Sequence, residues 1–125
     1  MLIRNILEES VRKFDEVKAV KWLNKKEIME RSYGELMENV VSTRKGLLAE
    51  GFEGKHIALI GTSSVEWMES YLGIITGCTT AVPLDAALPC EDLIDLLNRS
   101  DSAALFLSPK LRPYLDAFLE NLSLI

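Results

Sequence analysis

His56-Ile57-Ala58-Leu59-Ile60-Gly61-Thr62-Ser63-Ser64-Val65-Glu66-Trp67 is the stretch that decides the fold. Its first part is a short, nearly continuous apolar run. A strand buried on both faces of a parallel sheet reads this way, because helices cover both sides and no residue has to meet water. Gly61-Thr62 ends the run, and Ser63 followed three residues later by Glu66 has the form of a capping box. In such a box the hydroxyl accepts an exposed N–H and the carboxylate reaches back to the cap. Val65, Met68, Leu72 and Ile75 then recur at helical spacing as far as Gly77, so a buried strand is predicted to run straight into an amphipathic helix.

The same unit repeats downstream. Thr79 to Leu84 is β-rich and closes on Pro83-Leu84-Asp85. Pro89 suits the first turn of a helix whose Leu93, Leu96 and Leu97 would face inward. Ala103 to Leu107 reads as a third buried strand, and Ser108-Pro109 opens a last helical stretch that Pro113 either kinks or starts. Alternating strands and helices with apolar strands indicate parallel β-α-β units. The expected fold is α/β and three-layered, with a mostly parallel sheet in which these three runs are neighbours.

Upstream the pattern differs. Ile6, Leu7, Val11 and Phe14 have helical spacing. Ala19 to Leu23 and Glu27 to Arg31 read as a hairpin, with Asn24-Lys25-Lys26 as its turn and Asn24 as the residue able to tolerate positive φ. Ser32-Tyr33-Gly34-Glu35 is another capping box, and the helix behind it carries Leu36, Val40, Leu47 and Leu48 on one stripe before Gly51 ends it. This helix and hairpin are expected to precede the sheet and lie outside its centre. All of residues 1–125 reads as one α/β segment. Leu122-Ser123-Leu124-Ile125 reads as the start of one more strand, so the segment is expected to be the opening part of a longer domain.

Charge narrows the function classes. Fourteen Lys and Arg against 19 Asp and Glu leave a net charge of −5. Nucleic-acid binding through an electrostatic face needs clustered positive charge, and here the basic residues are scattered beside acids. No nucleic-acid partner is expected. No apolar run reaches the roughly 20 residues that span a bilayer. Met1-Leu2-Ile3-Arg4-Asn5 turns acidic at Glu8 and Glu9, unlike a signal peptide, so a cytoplasmic location is expected. Cys78 and Cys90 have neither metal-ligand nor redox spacing and are expected to be buried reduced thiols; Cys90, at a helix start, is where a thiol pKa can fall.

Several residues invite a site and are better explained by structure. Gly61-Thr62-Ser63-Ser64 stands where α/β proteins often bind phosphate, but it has neither the further glycines of a dinucleotide fingerprint nor the Gly-Lys-Ser/Thr of a P-loop. Capping accounts for it, with ligand contact as the rival reading. Asp85 lacks the acidic pair that a phospho-accepting receiver would carry after its first strand, so it is read as a turn residue. His56, the single histidine, sits at the start of a strand with no nucleophile constellation around it. Trp22 and Trp67 are read as packing residues.

Taken in order, these elements resemble the opening of the acyl-adenylating enzyme superfamily: AMP-forming acyl-CoA synthetases, peptide-synthetase adenylation domains and beetle luciferases. The resemblance rests on Ser32-Tyr33-Gly34-Glu35-Leu36, on Leu47-Leu48-Ala49-Glu50-Gly51, and on Gly54-Lys55-His56-Ile57-Ala58-Leu59. It continues through Ser63-Ser64-Val65-Glu66-Trp67 and is closest over Leu72-Gly73-Ile74-Ile75-Thr76-Gly77 and on to Val82-Pro83-Leu84-Asp85. Leu88-Pro89-Cys90-Glu91-Asp92-Leu93 follows. Lys55 replaces a customary Asp, and Ser63 a customary Asn.

The resemblance implies a parent enzyme that adenylates a carboxylic acid, fatty or aryl, with ATP and magnesium and passes it to CoA. The family's Gly/Ser/Thr-rich phosphate loop, magnesium-binding Glu, ribose-binding Asp and adenylate-forming Lys have no counterpart in this segment. No catalytic, cofactor-binding or metal residue is therefore assigned to it, and alone it is expected to be an inactive scaffold. Its partner would be the remainder of the parent enzyme, with self-association of the segment expected through surfaces left uncovered. Two other readings stay open: an adenylation domain loading a carrier protein, and a freestanding non-enzymatic α/β interaction module.

Overall fold

The computed structural model describes residues 2–113. At its centre lies β3 (His56–Ile60), flanked by β4 (Thr80–Leu84) and β5 (Ser102–Leu107), both parallel to it. Ile57 stands opposite Ala81 on one side and Ala104 on the other. Side chains alternate across a strand, and each face has its own cover. Ile57 joins Leu47 and Ile74, from helices α2 (Tyr33–Ala49) and α3 (Val65–Ile75). Ala58 and Ile60 pack with Cys90, Leu93, Ile94 and Leu97 of α4 (Cys90–Arg99). The three layers are thus α2 and α3, then the sheet, then α4. Ile57, Ala58 and Ile60 are wholly removed from solvent. Each fully buried isoleucine contributes roughly 1.5–3 kcal/mol of transfer free energy.

Helix ends follow local chemistry. At α2 both arms of the capping box form: Glu35 N–H donates to Ser32 Oγ at 3.1 Å, and Ser32 N–H donates to Glu35 Oε1 at 2.9 Å. The far end closes by a Schellman pair, Phe52 N–H to Leu47 O and Gly51 N–H to Leu48 O, with Gly51 at φ 79°. At α3 the cap is Ser64, whose Oγ accepts from Trp67 N–H at 3.1 Å, not Ser63 as expected. Adjacent serines have equal capping chemistry, so the length of the loop leaving β3 selects between them.

Helix faces deviate more. The interior face of α3 is Val65, Glu69, Gly73 and Ile74, whereas the expected Met68, Leu72 and Ile75 are only half-buried. The cause is the close approach of α2: a Cβ on Gly73 would lie 2.5 Å from Thr43 Cβ. Leu48 of α2 and Leu96 of α4 were expected inside and are exposed; Ile94 takes the inward place on α4. Both misplaced leucines lie at the border of an apolar stripe, where the neighbouring element decides the orientation.

The N-terminal part is built separately. Helix α1 (Ile3–Phe14) begins a turn earlier than its apolar spacing indicated and has no buried residue. Strands β1 (Lys18–Asn24) and β2 (Glu27–Ser32) pair antiparallel in a sheet of their own. Positive φ falls on Lys25, at 60°, rather than on Asn24, because Asn24 still pairs with Glu27 in the ladder. A 3-10 turn, Pro109–Leu111, follows β5. The last expected helix beyond residue 113 and the run Leu122–Ile125 lie outside the described residues. Among those described, no helix is long and apolar enough to cross a membrane.

Candidate functional site

In open parallel sheets ligands bind outside the carboxyl ends of the strands, where consecutive connections leave toward opposite faces. Here β3 leads into α3 on one face, while the segment after β5 places Leu111 against the α4 cluster on the other. The crevice between the ends of β3 and β5 meets this condition, as does the one between β3 and β4, since β4 leads into α4 on the second face. The first encloses about 430 Å³ between Ile60, Thr62, Trp67, Phe106, Ser108 and Lys110. A second hollow of about 530 Å³ adjoins it, between Gly61-Thr62-Ser63 and Asp85-Ala86-Ala87. Thr62 and Trp67 border both.

The wall of this crevice is held by ordinary interactions. Trp67 stacks on Tyr71, centroids 5.3 Å apart and planes 12° from parallel. Ser108 N–H donates to Ile60 O at 3.0 Å, tying the two strand ends together. Asp85 Oδ1 accepts from Ala87 N–H at 2.9 Å, the turn role expected of it. Ser64 Oγ is committed to its cap. Of the Gly61–Ser64 run, only Thr62 and Ser63 leave exposed hydroxyls without a structural duty.

Other singled-out residues stand elsewhere. His56 is at the opposite, amino end of β3, with Nδ1 2.7 Å from Ser100 O. Cys90 is buried in the α4 core, and that burial, reinforced by the Glu91 carboxylate, pushes its thiol up rather than down. Cys78 is exposed, contrary to the expectation of two buried thiols. A hollow of about 730 Å³ lies beside the start of α2 and is lined by Asp15, Glu16, Glu35 and Glu38 among others. Four carboxyl groups with no Lys or Arg among the lining residues suit no anionic nucleotide. Among the described residues no cluster of His, Cys, Asp and Glu could hold a metal ion.

One constellation was not anticipated. Glu69, on the buried face of α3, accepts from Asn39 Nδ2 at 2.6 Å and lies 3.1 Å from Arg31 Nε of β2. Arg31 in turn covers the Trp22 ring at 5.5 Å. Burial raises the Glu69 carboxyl above its ordinary range, Asn39 and Arg31 oppose the rise, and Glu66 adds to it. This set lies between the hairpin and the helices, remote from the strand ends, and it docks rather than reacts. The only trace of it in the sequence is a carboxylate on an otherwise apolar helix face.

Fold and crevice together define a parallel α/β sheet covered on both faces, with hollows at the carboxyl ends of β3, β4 and β5. The AMP-binding enzyme family matches residues 7–123, and the chain belongs to that family. Its fold is shared with an anthranilate CoA ligase, AuaEII, solved with anthranoyl-AMP (TM-score 0.87, 18% identity, 100% of this chain and 24% of that one). The N-terminal domain of FACL13 from Mycobacterium tuberculosis gives 0.83 at 19% identity, covering 98% and 32%. The nonribosomal peptide synthetase FmoA3, bound to α-methyl-L-serine-AMP, gives 0.81 at 20% identity, covering 93% and 13%. The chain thus spans a third or less of each of these proteins. No curated protein sequence matches it.

Proposed function

We propose that the parent protein is an AMP-forming ligase that activates a fatty or aryl carboxylic acid with ATP and transfers it to CoA, and that this segment is its non-catalytic scaffold. The observation that carries the reading is the family match across residues 7–123 of a chain whose whole length superposes on an aryl-CoA ligase. ATP, with magnesium, would supply the adenylyl group. The described residues do not fit as its holders: in the Gly61–Ser64 loop Ser64 caps α3, which leaves only the Thr62 and Ser63 hydroxyls, and no cluster of acidic residues among those described suits a metal. The segment's own contribution is to fix the ends of β3, β4 and β5 and, with Trp67 and Phe106, to form one wall beside the acyl group. The cytoplasm is the compartment that fits such an enzyme.

A carrier-protein acceptor is the second reading, favoured by the similarity to the peptide synthetase FmoA3. The experiment is ATP–pyrophosphate exchange by the full parent protein against a panel of aryl and fatty acids, followed by a choice of CoA or a pantetheinylated carrier as acceptor. Acid-dependent exchange and thioester formation on CoA are expected. Exchange with transfer only to the carrier would replace the first reading by the second. The 125-residue chain assayed alone is expected to give no exchange above background, and turnover by it would overturn the scaffold assignment.

A further inference from the structure

The tip of the hairpin and the hollow at its base carry opposite charge. The turn places Lys25 and Lys26 at the tip, both exposed. Beside them Leu23 and Ile28 stand opposite each other on one face, 72% and 68% exposed. Glu27, paired with Asn24, falls on the other face, because side chains alternate along a strand. Glu30 is taken up by Lys18 and Lys21, at 3.9 and 3.8 Å. The tip is therefore an apolar pair ending in two lysines, and neither lysine forms an ion pair among the described residues.

The hollow of about 730 Å³ beside the start of α2 is its counterpart. Half-buried Val11, Met37 and Val41 give it an apolar floor, and exposed Asp15, Glu16 and Glu38 rim it. None of these three carboxylates has an ion pair among the described residues. An apolar centre inside a polar rim is the anatomy of a protein interface, and complementary charge selects the partner that fits. Ser32, the last residue of β2, also lines the hollow, so tip and hollow lie at opposite ends of one hairpin. From Lys26 to Ser32 the strand rises about 20 Å, at roughly 3.3 Å per residue, so a tip cannot enter the hollow of its own chain. We propose that Leu23, Lys25, Lys26 and Ile28 of one copy dock in this hollow on a second copy, giving a two-fold dimer with antiparallel hairpins. The symmetry makes both contacts at once and leaves no tip free to recruit a third copy. The contact uses no residue of the strand-end crevices, and it does not depend on which acid or acceptor the parent uses.

Sedimentation velocity of the 125-residue chain over a concentration series tests it. A monomer–dimer equilibrium is expected, and it should weaken as salt is raised, because exposed charges are screened beyond about 10 Å at 0.1 M. Two double variants separate this contact from any other. One carries Lys25→Glu and Lys26→Glu; the other carries Glu16→Lys and Glu38→Lys, which leaves Glu35 in its cap. Like charges then meet at both contacts, and each variant's dimer dissociation constant is expected to rise about tenfold or more. All four positions are exposed, so far-UV circular dichroism is expected to be unchanged. Mixed in equal amounts, the two variants again oppose unlike charges at both contacts, and a heterodimer about as tight as the original is expected. A chain that stays monomeric up to about 1 mM would overturn the proposal. Variants that self-associate as well as the unsubstituted chain would place the contact on another surface and overturn it too. A mixture that stays monomeric would show that tip and hollow do not meet.

Discussion

The sheet with its helices and the N-terminal helix and hairpin are held by different forces. Around β3 the side chains of Ile57, Ile60, Ile74, Leu93 and Leu97 are fully enclosed. In α1 no residue is buried, and Ile3, Ile6 and Phe14 are at least half exposed. The hairpin tip presents the cross-strand pair Leu23 and Ile28 to solvent. What joins this region to the rest is mostly polar: Tyr33 N–H to Val17 O, Gly34 N–H to Asp15 O, and the Arg31–Glu69 pair. Apolar burial is non-directional and scales with area, so it makes the sheet cohesive as a whole. Hydrogen bonds and ion pairs contribute less net free energy each, and they specify position rather than cohesion.

The contrast breaks first under truncation. Leu97→Ala, inside the α4 layer, is expected to cost about 2–5 kcal/mol of unfolding free energy, because the cavity cannot fully collapse. Ile6→Ala, an equally apolar change on α1, should stay within about 0.5 kcal/mol. Urea denaturation followed by far-UV circular dichroism checks both. Comparable losses would mean that α1 is part of the cooperative core.

Overpacking ranks next. Gly73→Ala places a methyl group against Thr43 and within 3.1 Å of Val40 O. A loss of about 1–3 kcal/mol is expected from the shift this forces on α2. Thr43→Ser, which removes the opposing methyl, should restore part of it, and a double-mutant cycle measures how much. Ser32→Ala then tests the seam between the regions, since Ser32 ends β2 and caps α2. Losing the cap should cost about 1 kcal/mol, visible as a lower denaturation midpoint with an unchanged slope.

The smallest effects are in pH, and they run in opposite directions. Glu35 is held below its ordinary value, first by the backbone bond from Ser32 and then by the Ser32 hydroxyl. Its contribution is complete above its unfolded pKa and is lost as pH falls through the depressed folded value. Glu69 is raised by burial. Its contribution is complete below the unfolded pKa and is lost as pH rises through the raised folded value. Glu35→Gln should therefore flatten the acid side of a stability-against-pH curve, and Glu69→Gln the side above the ordinary 4.5. A Glu69→Gln curve parallel to that of the unsubstituted chain would show that Arg31 holds the carboxyl fully charged.

Sequence alone determined what depends on near neighbours along the chain. The capping box Ser32–Glu35, the stop at Gly51, the buried run of β3 and the β-α order were legible, as was the position of β5, although Ala103–Leu107, read as a buried strand, is only half-buried. The family resemblance was legible for the same reason, because its motifs mark element ends. Tertiary structure decided the rest. Ser64 rather than Ser63 caps α3 because the loop from β3 has a set length. Glu69 lies inside while Leu48 and Leu96 lie outside, because a residue at the border of a helix stripe faces whatever element packs there. Even the missing N–H donor on the outer edge of β4 was in the sequence only as Pro83. Its meaning depends on which way that residue's backbone faces, and the phase of the hydrogen bonds to β3 sets that direction.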